Sequence, residues 1–119
     1  LHSRADALRD GTLIDATDLA REAGFRVPVA LSAAAWADAV ALTDAARDAG
    51  CDEVGRLWDV LWMLRCAIAS NGNADRSDVR FVVLVVRQRP EPERVELRAL
   101  IGPGDAGDPA ITILLPGED

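Results

Sequence analysis

From Phe81 to Val86 every side chain is apolar, and four of the six are valine. Branching at Cβ restricts rotamers in a helix and suits a pleated surface, so the run predicts a strand. Apolar residues at every position predict burial on both faces. Such a strand invites aggregation at an open edge. Two arrangements avoid this. The expected one places the run in the middle of three strands, with residues 102–109 crossing over it. The other leaves it at an edge sealed by a second copy, a homodimer through the strand from Phe81 to Val86.

Two more strands are expected. Val95, Leu97, Ala99 and Ile101 alternate with Glu96, Arg98 and Leu100, the pattern of a half-buried strand. Ile111, Ile113 and Leu115 form the third, reached through the rigid acidic turn Gly102-Pro103-Gly104-Asp105-Ala106-Gly107-Asp108-Pro109. The loop at residues 89–93 carries Pro90 and Pro92, which cannot donate to a sheet ladder.

The first half reads as helix. Ser3 caps a helix that Gly11 stops, and Thr12 to Asp15 form a brief extended piece. Thr17 is expected to cap a second helix ending at Gly24, and Pro28 forces the following segment to be extended. Ser32 caps an Ala-rich helix over residues 33–49, closed by Gly50. The helix over residues 52–70 carries Val54, Leu57, Trp58, Leu61, Leu64 and Ile68 on one stripe, yet Val60, Trp62 and Met63 are apolar on other faces. It is expected to be the central core helix, with Asn71-Gly72-Asn73 as its exit. The expected fold is therefore a single α+β domain over residues 1–119. Its N-terminal helices (about 3–70) pack on a small, mainly antiparallel three-stranded C-terminal sheet (about 79–116).

Charge narrows the functional classes. Asp and Glu outnumber the cations 20 to 13, for a net −7, which opposes direct nucleic-acid binding and docking on an anionic membrane. All the cations are Arg, scattered along the chain, a pattern of genomic base composition rather than of a guanidinium site. Cys51 and Cys66 fit neither a metal knuckle nor a disulfide framework, and Cys66 is expected to be a small buried hydrophobe. No apolar run has membrane-spanning length and no leader is visible, so the cytoplasm is the expected compartment.

Reactive groups are few. His2, the only histidine, sits in a fraying terminus, which leaves no base for Ser-His or Cys-His catalysis. Asp105 and Asp108 lack the further oxygen ligands of a calcium loop. Gly102, Gly104 and Gly107 match a dinucleotide fingerprint in spacing only, since a strand rather than a helix follows. Asp15, Asp18 and Glu22 gather near a helix start beside Arg21 and Arg26, where capping and helix ion pairs account for them. Asp59 interrupts the most apolar helix and needs a partner; Arg56, three residues earlier, is the expected one, with Arg65 in the same environment. Trp36, Trp58 and Trp62 are expected in the core, whereas a Trp on the outer face would mark an interaction surface. No catalytic residue, metal or cofactor is assigned.

Four segments in order, Asp10-Gly11-Thr12-Leu13-Ile14-Asp15, Glu22-Ala23-Gly24-Phe25-Arg26-Val27-Pro28-Val29-Ala30-Leu31, Arg56-Leu57-Trp58-Asp59-Val60-Leu61-Trp62-Met63 and the turn from Gly102 with the strand to Pro116, resemble a small family of uncharacterised bacterial proteins. Its members are often associated with phages, plasmids and other mobile elements. The resemblance assigns no catalytic residues and implies an accessory protein that binds other proteins. The expected function is thus a non-enzymatic protein-binding module. The alternative is a small-ligand protein or enzyme with a cleft around Asp59 and Arg65, and the interaction candidates are Asp15, Arg26, Asp59, Trp62, Arg65, Asp105 and Asp108.

Overall fold

The computed structural model describes residues 3–70 and 77–118; His2 and the expected exit at residues 71–73 lie outside them. In chain order the elements are α1 (Arg4–Asp10), β1 (Leu13–Asp15), α2 (Thr17–Glu22), β2 (Val29–Ser32), α3 (Ala33–Ala39), α4 (Asp44–Asp48), α5 (Glu53–Ser70), β3 (Asp78–Val85), β4 (Glu93–Pro103) and β5 (Pro109–Leu114). The fold is α+β, but the expected three-stranded antiparallel sheet is wrong. The sheet has five strands in the order β1-β2-β5-β4-β3. It is mixed: β2 runs parallel to β5, and every other pair is antiparallel.

The two extra strands come from the half that reads as helical. Leu13–Asp15 pairs with β2, setting Ile14 opposite Leu31, and Leu31 in turn lies opposite Ile113 of β5. With three and four residues, both are shorter than the usual strand of five or six. Only pairing with β5, remote in sequence, makes them a sheet.

The strand order is also corrected. β4, not β3, lies between the other two C-terminal strands, with Phe81 opposite Leu97 and Ile101 opposite Ile111. β3 is an edge strand, and its burial alternates. Val79, Phe81, Val83 and Val85 are buried, whereas Val82 is half-buried and Leu84 is exposed. Continuous apolar patterning therefore marks a strand whose outer face is apolar without being covered.

One face of the sheet carries the core. Val29, Leu31, Val83, Leu97, Ala99 and Ile113 point there and cluster with Ala20 of α2, Ala35 of α3 and Leu57, Val60, Leu61 and Leu64 of α5. The opposite face is covered at the β2–β5 end. There the Arg4 guanidinium donates to Thr112 Oγ1 at 2.6 Å and to the Ile111 carbonyl at 2.7 Å. The C-terminal turn closes the same end, Glu118 Oε2 accepting from the buried Ser32 hydroxyl at 2.6 Å.

Helix boundaries follow their caps. Ser3 accepts from the Asp6 N–H, and Gly11 ends α1 at φ +86°. Thr17 does not cap α2; its hydroxyl donates to Asp15 Oδ1 at 2.6 Å and accepts from the Val29 N–H, tying β1 to β2. The Ala-rich helix over residues 33–49 is two helices. Thr43 starts the second, accepting from the Ala46 N–H while donating to the Arg87 carbonyl. A cap-forming Thr outcompetes helix continuation when its hydroxyl gains a partner on each side.

Candidate functional site

α5 is amphipathic rather than greasy all round. Leu57, Val60, Leu61 and Leu64 face the core, while Val54, Trp62 and Met63 are exposed at 65%, 44% and 42%. Cys66 is exposed too, so it is not the buried hydrophobe expected; the helix turns it away from the sheet.

The Arg65 side chain serves the fold. Its Nη1 donates to the Ala23 carbonyl at 2.8 Å, capping the end of α2, and its Cζ lies 5.3 Å from the Trp62 ring centroid. Gly24 has φ +102°, and a Cβ there would come within 2.8 Å of Arg65 Nη1. Trp62 continues the stack onto Trp58, with centroids 6.1 Å apart and planes 11° from parallel. Trp36 and Trp58 are partly buried against the core, as expected, and Trp62 is the outer-face Trp.

Asp59 is not held by Arg56. The described residues include no ion pair or hydrogen bond to its carboxylate. Arg56 is buried instead, 7% exposed, with Nε donating to the Ala39 carbonyl at 3.1 Å. Its Nη1 is sealed from water and has no partner among the described residues. Burial lowers the Arg56 pKa, against smaller opposing effects of Cys51 and Glu53 and with a smaller reinforcing one from Arg87. Arg56, Asp59 and Cys51 line two neighbouring clefts. One, of about 540 Å³, opens beside Leu19, Asp52 and Trp58. The other, of about 200 Å³, lies between α5 and the end of β3, walled by Ala39, Val60, Val83, Val85 and Pro92. The alternative cleft expected around Asp59 and Arg65 is lined by Asp59 together with Arg56, while Arg65 caps α2 instead. The signal lay in position: Arg56 stands four residues before the buried Val60 and therefore on the same face of α5.

The remaining candidates are dispersed. Asp15 lines a shallow cleft with Asp18, Leu19, Glu22 and Val54, facing α5 from the β1–α2 turn. Arg26 is exposed in the segment between α2 and β2. Asp105 caps α1: its two oxygens accept from the Arg4 N–H at 2.7 Å and the Ala5 N–H at 2.9 Å. Those backbone donors, Ala5 first, hold its carboxyl below the usual carboxylate range. Asp108 is exposed in the same turn, its carbonyl accepting from the Gly104 N–H. Among the described residues no three His, Cys, Asp or Glu side chains gather to hold a metal ion.

The second feature is the edge of β3. Leu84, 65% exposed, shares a shallow depression with Asp59, Trp62, Met63 and Val83. Apolar side chains thus flank this edge on both sides of the sheet, Met63 and Trp62 on the helix side and Val82 and Leu84 on the open side. Among the described residues no strand pairs with the outer edge of β3. The opposite edge, β1, is three residues long and packed by α1.

No described helix is long and apolar enough to cross a membrane. No curated protein and no solved structure matches the chain. One family model spans residues 1–119, so the chain belongs to the family of unknown function DUF6573.

Proposed function

We propose that this chain is a protein-binding module that accepts an extended segment of a partner protein as a sixth strand along β3. The supporting observation is an eight-residue edge that no other described strand pairs with, with exposed apolar side chains on both sides. Unpaired strand N–H and C=O groups supply affinity in this mode, and alternate side chains supply selectivity. One set of partner side chains meets Met63 and Trp62, and the other meets Val82 and Leu84. The partner segment is therefore apolar at both alternations.

Charge favours acidic flanks on that segment. Between Asp78 and Pro103 five arginines face four acids, in a chain whose total is −7. A second copy fits the edge poorly. The sheet strand that α5 packs against is β3 itself. Joining two copies edge to edge places paired strands about 4.8 Å apart, whereas packed helices need about 8–10 Å. A bare strand carries no helix to collide. An accessory role for a mobile element, implied by the resemblance, suits such a module.

Selection from a displayed library of linear eight-residue peptides tests the proposal. Enriched peptides are expected to be apolar at consecutive positions with acidic flanks. Leu84→Asp and Met63→Asp are each expected to abolish their binding while changing stability by no more than about 0.5 kcal/mol, as exposed sites do. No enrichment, or equal binding by both variants, contradicts the reading. So does a dimer in light scattering that Leu84→Asp splits, because the edge then belongs to a second copy.

A further inference from the structure

We infer that the groove between α2 and the first half of α5 receives a basic amphipathic helix of another protein. The groove is mostly apolar. Leu19, half-buried, and Val54, 65% exposed, line both of its lobes, of about 540 and 390 Å³, which makes the two clefts continuous. Trp58 lines the larger lobe and Leu57 the smaller. Charge decides the occupant. Asp15, Asp18 and Glu22 rim the α2 side, and Asp52 and Asp59 rim the α5 side. None of the five forms an ion pair with a described residue. Asp52 caps α5 through the Gly55 N–H, and Asp15 accepts from Thr17 and is partly offset by Arg4. Asp18, Glu22 and Asp59 have no described partner. Arg56 is the one cation of the lining, and it is buried, with Nε held on the Ala39 carbonyl. Arg21 and Arg26 are exposed and line neither lobe. A cleft walled by one sign of charge concentrates the other.

The backbone of the walls selects a helix over an extended segment. Gly50, Cys51 and Arg56 already donate their N–H groups to carbonyls, and Gly55 donates to Asp52. A strand finds no ladder partner there, whereas a helix arrives with its own backbone satisfied. Its apolar stripe meets Leu19, Val54 and Trp58, and Lys or Arg on its flanks meets the acids. Both rims have helical spacing. Asp18 and Glu22 stand one turn apart, and Asp52 and Asp59 are about 10 Å apart at 1.5 Å per residue. A second copy is the wrong occupant, because no described helix of this chain carries a net positive charge. The groove shares only Asp59 with the depression at the β3 edge and does not depend on strand addition there.

Titration of the folded chain with a synthetic helix, followed by NMR and calorimetry, tests the inference. The probe is the sequence Lys-Leu-Ala-Lys-Leu-Ala-Lys repeated in tandem, whose leucines share one helix face with lysines beside them. Saturable binding is expected, with shifts at Leu19, Val54 and Trp58 and none at Leu84. Replacing every Lys of the probe by Glu, or placing Pro at its centre, is expected to weaken binding at least about tenfold, by charge repulsion and by loss of the helix. Val54→Gln is expected to weaken it roughly tenfold, and Asp18→Asn with Glu22→Gln roughly fivefold. These positions are exposed, so the melting curve is expected to stay in place. Leu84→Asp is expected to leave helix binding unchanged, which separates this groove from the β3 edge. No saturable binding up to about 1 mM, equal binding of the Glu or Pro probe, shifts centred on Leu84, or indifference to Val54→Gln overturns the inference. So does a dimer of the free chain that Val54→Gln splits, because a second copy then fills the groove.

Discussion

Individual polar residues in this chain mostly hold elements together, and Asp105 shows how. Its carboxylate accepts from two backbone N–H groups at the start of α1, fastening the N-terminus to a turn a hundred residues away. Because its folded pKa is depressed, the stabilisation is fully present above the unfolded value near pH 4 and is lost as pH falls through the folded value. Asp78 behaves alike, since its hydrogen bonds from Arg98 lower its pKa. Asp105→Asn is expected to lower the melting temperature at pH 7 and to flatten the acid limb of a stability–pH curve. Melting curves from pH 7 to pH 2 check both effects, and identical limbs for the two proteins contradict them. Sequence reading found the acidic turn but not its role, because α1 and the turn meet only in three dimensions. Arg65 and Arg56 carry the same lesson in reverse. Both stand on an apolar helix, yet one caps a neighbouring helix and the other is buried with a donor to spare; linear spacing does not distinguish these fates.

Elements were legible where local signals are strong. Ser3 and Gly11 bound α1, Ser32 starts α3, and alternation marks β4, all as the residues dictate. Two failures have physical causes. The helix over residues 33–49 breaks because the Thr43 hydroxyl finds the Arg87 carbonyl beyond β3, a partner invisible in the local sequence. The uniform apolar run of β3 predicts two buried faces, whereas only alternate residues are covered. α5 illustrates the same division. Leu64 is fully buried and Val54 is 65% exposed, although both are apolar residues of one helix. Leu64→Ala is expected to cost about 2–5 kcal/mol, through lost burial and the cavity left behind. Val54→Ala is expected to stay within about 0.5 kcal/mol. Urea denaturation measures both, and similar losses for the two would contradict the described orientation of α5.

At the scale of the molecule, the sheet is assembled from both ends of the chain. β2 meets β5 in parallel across more than seventy intervening residues, which is why two short extended pieces, unremarkable alone, become its far half. That pairing pushes β4 inward and leaves β3 at the border, reversing the order expected from burial alone. The α+β class was therefore readable, while strand number and order were not. The consequence for function is a sheet with one short, helix-packed edge and one long edge flanked by apolar side chains. The central claim is that partners are taken up at the long edge. Backbone amide hydrogen exchange, measured with and without a saturating library-selected peptide, tests it most directly. Slowed exchange at alternate amides of Asp78–Val85, with β1 unchanged, is the predicted result. Bound peptide that leaves β3 exchange untouched would contradict it.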